Sequence, residues 1–351
     1  MPDYRVCANC VMDTSAEEIT FDERGICNFC HQYQVMEKER LAAKLHPGLA
    51  WTLHELRKAG GKYDCLIGLS GGVDSSMCLH YLVAENGIRP LCFSMDNGFN
   101  NPKADENIMR MVEKLKVPFY RFTINLKEFS DLQIAFVKAG VKNIEIPTDH
   151  ILMASTYKMA MDNGIKYIIS GGNLATEGIM PSSYGYEARD LTHIKAIFKK
   201  FMNRKLKDLP TISLFQYLYC RFIKGIKIIN LLDFYDYKRE EAKKLLAAEY
   251  GWKDYYEKHE ESIYTKWFQN FYLPVKFQLD KRRPHYSSMI NSGQMTRKEA
   301  MEKLAKPLKY PQLGCEERVS KYEKRSHFDY PTNLWLWSLF SNIYGIISNR
   351  K

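Results

Sequence analysis

The stretch Tyr63-Asp64-Cys65-Leu66-Ile67-Gly68-Leu69-Ser70-Gly71-Gly72-Val73-Asp74-Ser75-Ser76 decides the fold. Residues 63–69 form a short apolar run of the length a buried strand takes. Ser70-Gly71-Gly72 interrupts it, and a helical stretch then runs through Leu82. A strand that ends in a glycine turn and passes straight into a helix makes an anion cradle. Glycines let the backbone approach an oxyanion and aim amide N–H groups at it. The hydroxyls of Ser70, Ser75 and Ser76 add donors, and the helix brings its positive end. No Gly-Lys-Ser/Thr follows, so this is not the Walker loop, whose lysine reaches the outer phosphates.

The surrounding chain repeats the strand–helix pattern. Residues 90–95 read as a second strand, 103–116 as a helix, 119–124 as a third strand and 126–139 as a helix. A helix over 150–163 and a strand over 166–170 follow. This alternation predicts an α/β domain with a mainly parallel sheet. Ligands in such sheets bind at the carboxyl ends of the strands, where Ser70, Asp96 and Gly171 fall. After about residue 185 the alternation stops, and the remainder reads as helical, aromatic and basic.

Cys7-Ala8-Asn9-Cys10 and Cys27-Asn28-Phe29-Cys30 are two CxxC pairs separated by 16 residues. Each pair sets two thiolates on one tight turn, and a small hairpin between them completes a tetrahedral sulfur shell that suits Zn²⁺. A segment this small has no core of its own, so the metal would supply its folding energy. An iron–sulfur cluster and redox-active pairs are the alternatives. A closed shell leaves no position for catalysis. The expected division is a zinc ribbon over 1–35, a helical connector over 36–60, the α/β nucleotide domain over 61–185 and a helical substrate or partner region over 186–351.

The composition excludes global disorder and fibrous repeats: 45% of residues are hydrophobic and 26% charged. Fifty-one Lys and Arg against 41 Asp and Glu give a net charge of +10, which points to anionic partners. An odd count of nine cysteines, with no basic start leading into an apolar run, fits a cytoplasmic protein better than a secreted disulfide scaffold. No stretch reads as an ordinary membrane span, so stable membrane insertion is not expected. Residues 330–349 are uncharged, with Leu336, Phe340, Ile343 and Ile347 at helical spacing. They read as a helix docked on the chain's own core, with a partner or a membrane surface as alternatives.

SGGVDSS after an apolar strand resembles the pyrophosphate loop of the PP-loop ATP pyrophosphatases, which are adenine nucleotide alpha-hydrolase-like proteins. The resemblance implies cleavage of ATP to AMP and pyrophosphate. It implies that Ser70, Gly71, Gly72, Asp74, Ser75 and Ser76 hold the pyrophosphate end, and that residues 93–97, with Asp96, flank the adenosine. Ser170-Gly171-Gly172-Asn173 matches a second glycine segment of that superfamily. Asp74 and Glu177 become candidate Mg²⁺ ligands, although Glu177 also reads as an ordinary helix-end acid.

The whole chain resembles the N-acetyl sugar amidotransferases of WbpG/PseA type. The resemblance rests on the paired CxxC, on Asp96-Asn97-Gly98-Phe99-Asn100-Asn101-Pro102, and on a C-terminal block. That block holds Lys258-His259-Glu260-Glu261-Ser262, Lys276-Phe277-Gln278-Leu279-Asp280-Lys281-Arg282-Arg283-Pro284-His285 and Ser292-Gly293-Gln294-Met295-Thr296-Arg297. Glu260 departs from the family, where tyrosine is commoner at that position. The implied reaction adenylates the N-acetyl group of a nucleotide-activated sugar, and ammonia then displaces AMP to give an acetamidino sugar for bacterial surface glycan or O-antigen lipopolysaccharide biosynthesis. Lys276, Lys281, Arg282 and Arg283 would bind a diphosphate or pyrophosphate, or else form a solvated basic face. The expected catalytic set is Asp74, Lys281, Arg282, His259 and His285, with the histidines moving protons. No glutaminase nucleophile is evident, so the resemblance implies ammonia from glutaminase and barrel subunits resembling those of imidazole glycerol phosphate synthase. No nucleic acid partner is expected. The rival reading is a PP-loop tRNA thiolase, although Cys65, Cys78, Cys92, Cys220 and Cys315 form no further CxxC.

Overall fold

A computed structural model describes residues 3–58, 61–254 and 261–337. Its centre is a five-stranded, wholly parallel sheet in the order β3-β2-β1-β4-β5. The strands are β1 Cys65–Gly68, β2 Pro90–Asp96, β3 Phe119–Thr123, β4 Tyr167–Ser170 and β5 Lys227–Asn230. β1 lies in the middle, with Ile67 opposite Cys92 on one side and Ile169 on the other. The order of connection reverses between β1 and β4, so a crevice opens beyond their carboxyl ends, where ligands of such sheets bind.

Helices α1 Asn28–Ala43 and α2 Leu49–Lys58 precede the sheet. α3 Val73–His80, α4 Pro102–Leu115, α5 Leu126–Ala139 and α6 Ile146–Asp162 connect its first four strands. Local chemistry sets their limits. Asn101 caps α4 by accepting from the Lys103 amide, with Pro102 in the first turn. Asn125 caps α5, and Gly140 ends it at φ +68°. α6 begins at Ile146, four residues before the start at His150 that the sequence pattern indicated. That extra turn carries Asp149 and leaves Glu145 at the helix entrance.

After β4 come α7 Leu174–Glu177, α8 Leu191–Met202 and α9 Leu214–Leu218, then β5. A strand beyond residue 185 differs from the all-helical reading of that region. β5 is short, at the sheet edge and mostly exposed, so the apolar alternation of a half-buried strand is missing. α10 Arg239–Tyr250, α11 Ile263–Trp267, α12 Leu273–Phe277, α13 Arg282–Asn291, α14 Arg297–Leu304 and α15 Glu316–Ser320 follow.

Both faces of the sheet are covered. Leu56, Met77, Leu79, Ile108, Met111 and Leu246 pack on one face, against Cys65, Ile67, Cys92 and Ile169. Ala154, Tyr157 and Ala160 of α6 pack on the other, against Leu66, Leu91, Phe93 and Ile168. A further core joins α5, α8, α11 and α12 to the cysteine segment through Phe129, Phe136, Phe198, Trp267 and Tyr272. Burial of each such large side chain contributes about 2 kcal/mol.

The cysteine segment is joined to the far end of the chain. The Val11 amide donates to Ser287 Oγ at 3.2 Å, and Arg297 donates to the carbonyls of Cys7 and Cys10 at 3.1–3.2 Å. No helix among the described residues is long and apolar enough to cross a membrane. Trp337 is buried against Tyr217, so the beginning of the uncharged C-terminal stretch docks on the chain itself. Residues 338–351 lie outside the described residues.

Candidate active site

The glycine turn is folded as an open cradle. Ser70 Oγ accepts from the Gly72 amide at 3.2 Å and lies 3.2 Å from Ser75 Oγ. Gly71 has φ +77°, and a Cβ there would stand 2.1 Å from the Ala104 carbonyl oxygen, so glycine is required twice over. The Gly71 carbonyl is held by Trp252 Nε1 at 3.2 Å and by Asn107 Nδ2 at 3.4 Å. These bonds hold the Gly71 carbonyl, while the Ser70 and Gly72 amides and the Ser75 hydroxyl are engaged within the turn and would have to exchange those bonds for an anion. α3 starts at the cradle, with Gly72 as its N-cap. The second glycine segment faces it: a Cβ on Gly171 would come within 3.1 Å of the Ser75 amide nitrogen.

Asp74 sits in the first turn of α3, where its carboxylate accepts from the Tyr237 hydroxyl. Burial, then the neighbouring Asp74 charge, pushes the Tyr237 phenol well above its ordinary range, so it stays a donor. Gln294 Nε2 donates to the Tyr237 carbonyl at 3.0 Å, and Gln294 Oε1 accepts from the Arg239 amide at 3.0 Å. The C-terminal Ser-Gly-Gln block therefore positions the residue that touches Asp74. Tyr237 and Trp252 carried no signal in the sequence; both arrive from distant segments.

Beyond the cradle lies a cavity of about 570 Å³, the size of an ordinary small-molecule site. Ser70 and Gly171 lie at its floor, Met95 and Asn97 on one wall, and Asp149 and Thr156 of α6 on another. Glu261, Ser262 and Thr265 close it from the C-terminal block. Backbone pairing fixes this closure: the Asn101 amide donates to the Glu261 carbonyl at 2.9 Å, and the Ile263 amide to the Phe99 carbonyl at 2.8 Å. Two motifs 160 positions apart, Asn97 to Asn101 and Glu261 to Ser262, thus meet at one rim.

A charged constellation lies at the same rim. Glu145 and Asp149 line the cavity, Thr265 Oγ1 donates to Glu145, and Lys281 lies close enough to both acids for their charges to interact. Withdrawal from bulk water and then the Asp149 charge raise the Glu145 carboxyl above the usual carboxylate range. Asp149 lines the same cavity with its side chain exposed; crowding by the surrounding protein raises its carboxyl, and Lys281 opposes that rise. Desolvation lowers the Lys281 ammonium, while the two acids hold it up. Lys281 Nζ also donates to Met180 Sδ at 3.2 Å. Only Lys281 of these charges was legible beforehand.

The other expected site residues divide sharply. Arg282 is bound to Asp280 at 2.7 Å and donates to the carbonyls of Lys303, Leu304 and Lys306 at 3.0–3.2 Å. It closes the end of α14, which is a structural task. Arg283 grips the cysteine segment through Asp13 at 2.9 Å and the Val11 carbonyl at 2.8 Å. Lys276 is buried and donates to the carbonyls of Val319 and Tyr322. The four-cation cluster is therefore dispersed, neither a phosphate clamp nor a solvated face. His285, buried on α13, lies with Nδ1 3.2 Å from the Thr176 carbonyl oxygen. Asn173 caps α7, accepting from the Thr176 amide and hydroxyl. Glu177 ends α7, and a Cβ on Gly172 would lie 3.7 Å from its carboxylate, which keeps it beside the second glycine segment. Asp96 ends β2 and accepts from the Gly98 amide at 3.0 Å and from Thr123 Oγ1 at 3.3 Å. Ser76, near the start of α3, is buried. His259 lies outside the described residues.

The four thiols of Cys7, Cys10, Cys27 and Cys30 converge within 4.8 Å of one another, fully buried. Sulfur separations of 3.7–3.9 Å match the edge of a tetrahedron around one ion with metal–sulfur bonds of about 2.3 Å. A multinuclear cluster interposes several metal and sulfide atoms and needs wider spacing. Amides of Cys10 and Cys27 donate to Cys7 Sγ at 3.2–3.4 Å, and Asn9 and Asn291 donate to Cys30 Sγ at 3.4–3.5 Å. Such donors stabilise thiolate charge and orient the ligands. The residues present fit a single structural ion.

Comparison with known proteins places names beside these features. Residues 261–330 match the family model described as LPS biosynthesis protein WbpG-like, C-terminal domain. An uncharacterized protein of Methanocaldococcus jannaschii is 25% identical over 322 residues, covering 89% of this chain and 96% of that protein. The structure of the U34-tRNA thiolase NcsA from Methanococcus maripaludis, with its [4Fe-4S] cluster, is similar at a TM-score of 0.36 and 14% identity, over 91% of this chain and 97% of that one. NMN synthetase from Francisella tularensis is similar at a TM-score of 0.32 and 13% identity, over 65% and 90% of the two chains. Glu261, Ser262 and Thr265, which close the cavity, lie at the start of the segment that matches the WbpG-like C-terminal domain model, and the glycine cradle opposite them lies in the parallel-sheet α/β domain.

Proposed function

We propose that the protein is an ATP-dependent amidotransferase that converts an N-acetyl group of a nucleotide-activated sugar into an acetamidino group, releasing AMP and pyrophosphate. One observation carries this reading. The glycine cradle opens into a cavity whose other rim belongs to the WbpG-like domain, so nucleotide and acceptor would meet in one space.

In this reading Ser70, Gly71, Gly72, Ser75 and Ser76 receive the β- and γ-phosphates at the start of α3. Asp74 and Glu177 would hold Mg²⁺, whose charge offsets that of the leaving pyrophosphate. The amide oxygen attacks the α-phosphorus; an oxygen–phosphorus bond forms and the bond to pyrophosphate breaks. The product is an O-adenylyl imidate. Ammonia then forms a carbon–nitrogen bond at the activated carbon, and the carbon–oxygen bond to AMP breaks, leaving a protonated amidine. An unactivated amide is a poor electrophile, which is why ATP is consumed. Glu145 and Asp149 serve the nucleophile: a carboxylate of raised proton affinity takes the surplus proton of ammonium and leaves ammonia beside the acceptor. Lys281 balances that charge. Asp280, Arg282 and Arg283 support α13 and with it Lys281. Ammonia would come from glutaminase and barrel subunits, and the cysteine site would hold Zn²⁺.

Among the described residues, the lining of the cavity includes no cysteine. Cys65 and Cys78 are buried thiols whose proton affinity burial pushes well up, and Cys92 is pushed to about 12. Such thiols are inert, which argues against sulfur transfer to tRNA. The test is mass spectrometry of the purified protein with ATP, Mg²⁺, ammonium and a panel of nucleotide-linked acetamido sugars. A product in which NH replaces oxygen, equimolar with AMP, is expected. AMP formed only in the presence of tRNA would overturn the proposal.

A further inference from the structure

One stripe of α13 is bonded, side chain to backbone, to the second glycine segment. α7 is only four residues long, so most of its carbonyls have no partner within the helix. The Leu174 carbonyl accepts from the Gly178 amide at 2.9 Å. The next two carbonyls are taken by the α13 region. Ser292 Oγ donates to the Ala175 carbonyl at 2.9 Å, and His285 Nδ1–H to the Thr176 carbonyl at 3.2 Å. The chain leaves α7 through Ile179, whose amide donates to Ser288 Oγ at 2.9 Å. Ser288 Oγ donates in turn to the Pro284 carbonyl at 2.9 Å, which fixes its lone pairs towards Ile179. Positions 285, 288 and 292 stand at i, i+3 and i+7, on one side of the helix. A helix face against a neighbour is ordinarily apolar. Here three polar side chains take that place, each matched to one backbone group of residues 175–179.

Two positions further on, Gln294 extends the same hold to the other side of the site. It bonds the Tyr237 carbonyl and the Arg239 amide, and the Tyr237 hydroxyl donates to Asp74. The groups at the ends of these bonds are two carboxylates. A Cβ on Gly171 would lie 3.4 Å from Asp74 Cβ, and one on Gly172 would lie 3.7 Å from Glu177 Oε2. Asp74 and Glu177 thus stand beside two successive glycines, and neither glycine adds a side chain there. Two carboxylates so placed fit a divalent ion that takes its remaining ligands from phosphate and water.

We propose that His285, Ser288, Ser292 and Gln294 are positioning residues, which set Glu177 and Asp74 for the divalent cation that accompanies ATP and touch neither nucleotide nor acceptor. The C-terminal block then serves the nucleotide end of the site as well as the acceptor end, and His285 holds a carbonyl rather than moving a proton. This role rests on the ATP-binding part of the proposed function and not on the identity of the acceptor.

The test is binding of Mn²⁺ with α,β-methylene-ATP to the full chain, read by water proton relaxation enhancement. The analogue keeps the phosphates and cannot release pyrophosphate. Ser292→Ala and Gln294→Ala should each weaken binding of the ion about tenfold. Both positions are half-buried, so the variants keep the core. The metal-free analogue should be held as before, whereas a merely loosened fold would weaken it too. His285→Asn keeps an N–H at the Nδ1 position and should stay within about threefold, while His285→Phe should match the alanine variants. Undiminished Mn²⁺ binding in the Ser292 and Gln294 variants would overturn the proposal, as would equal loss of the metal-free analogue, or a His285→Asn protein as weak as His285→Phe. Unaltered protein that binds the ion with nucleotide but forms no amidine would overturn the amidotransferase reading alone. Unaltered protein that binds no ion with nucleotide would overturn both.

Discussion

Gly71 shows how closely one residue is constrained. Its φ of +77° and the Ala104 carbonyl 2.1 Å from a prospective Cβ leave no room for alanine. Gly71→Ala must move the turn or α4, at a cost of about 2–3 kcal/mol. The expected outcome is a lower urea midpoint and loss of ATP consumption, read by AMP release. Glu145 makes a different prediction. Its carboxyl is raised, first by desolvation and then by Asp149, so it gains its charge only above the ordinary carboxylate range. In the proposed role of base for ammonium it would work deprotonated, so amidine formation should rise with pH through that raised range. Glu145→Gln should remove that limb and raise the KM for ammonium, while KM for ATP changes little. Rates across pH 6–9 at saturating ATP check this. At this scale the sequence was half legible. Ser70 to Ser76 announced themselves because a cradle is local. Glu145, Thr265 and Tyr237 did not, because nothing in a single residue's neighbourhood reports which distant segment it will face. Arg282 and Arg283 misled for the same reason: an arginine that holds backbone carbonyls is written no differently from one that waits for phosphate.

Among elements, α13 links most of the chemistry. Its entrance carries Lys281, its middle holds Ser287 against Val11, and its end sends Asn291 to Cys30 Sγ. The cysteine cluster therefore braces the helix that begins at the cavity. One equivalent of zinc per chain is expected by elemental analysis. Its removal by a strong chelator, or Cys27→Ser, should lower Tm by roughly 10 °C or more. The same treatment should reduce activity, since α13 loses its footing on the cysteine segment. The paired CxxC made this site legible from spacing alone. Its dependence on residues 283–297 was not, because the partner of a small metal turn is a matter of packing. The strand missed at Lys227–Asn230 has a similar cause: with edge exposure on both faces, its side chains show no alternation to read.

Across the whole molecule, three distant segments converge on a pair of buried histidines. His193 of α8 and His327 lie 3.0 Å apart, Nε2 to Nδ1, and the Asn143 amide donates to His327 Nε2 at 3.1 Å. His327 Nε2 is therefore an acceptor, its Nδ1–H donates to His193, and both rings are neutral. Burial lowers His193 to about 4 and His327 to about 3. The unfolded chain takes up these protons near pH 6.5, so stability is full above that value and falls as the pH drops towards 4. At pH 5.5 the loss is about 1 kcal/mol for each histidine. Urea midpoints at pH 7.5 and 5.5 should differ accordingly, and the difference should shrink in His327→Gln. The alternation of strands and helices had already indicated the parallel sheet and the carboxyl-end site, because both follow from local periodicity and chain direction.

The rim of the cavity has one more consequence. Asn101 and Ile263 are joined to Glu261 and Phe99 by main-chain bonds. A seam made of backbone is indifferent to which side chain stands at Glu261, whereas Asn97, Asn100 and Ser262 are tied down because their side chains hold the Phe99 amide, the Met95 carbonyl and the Thr265 amide. The collar can therefore change its lettering at Glu261 and still close at the same height. Relatives that take different acceptors would be expected to vary there first, with the cradle below left as it is.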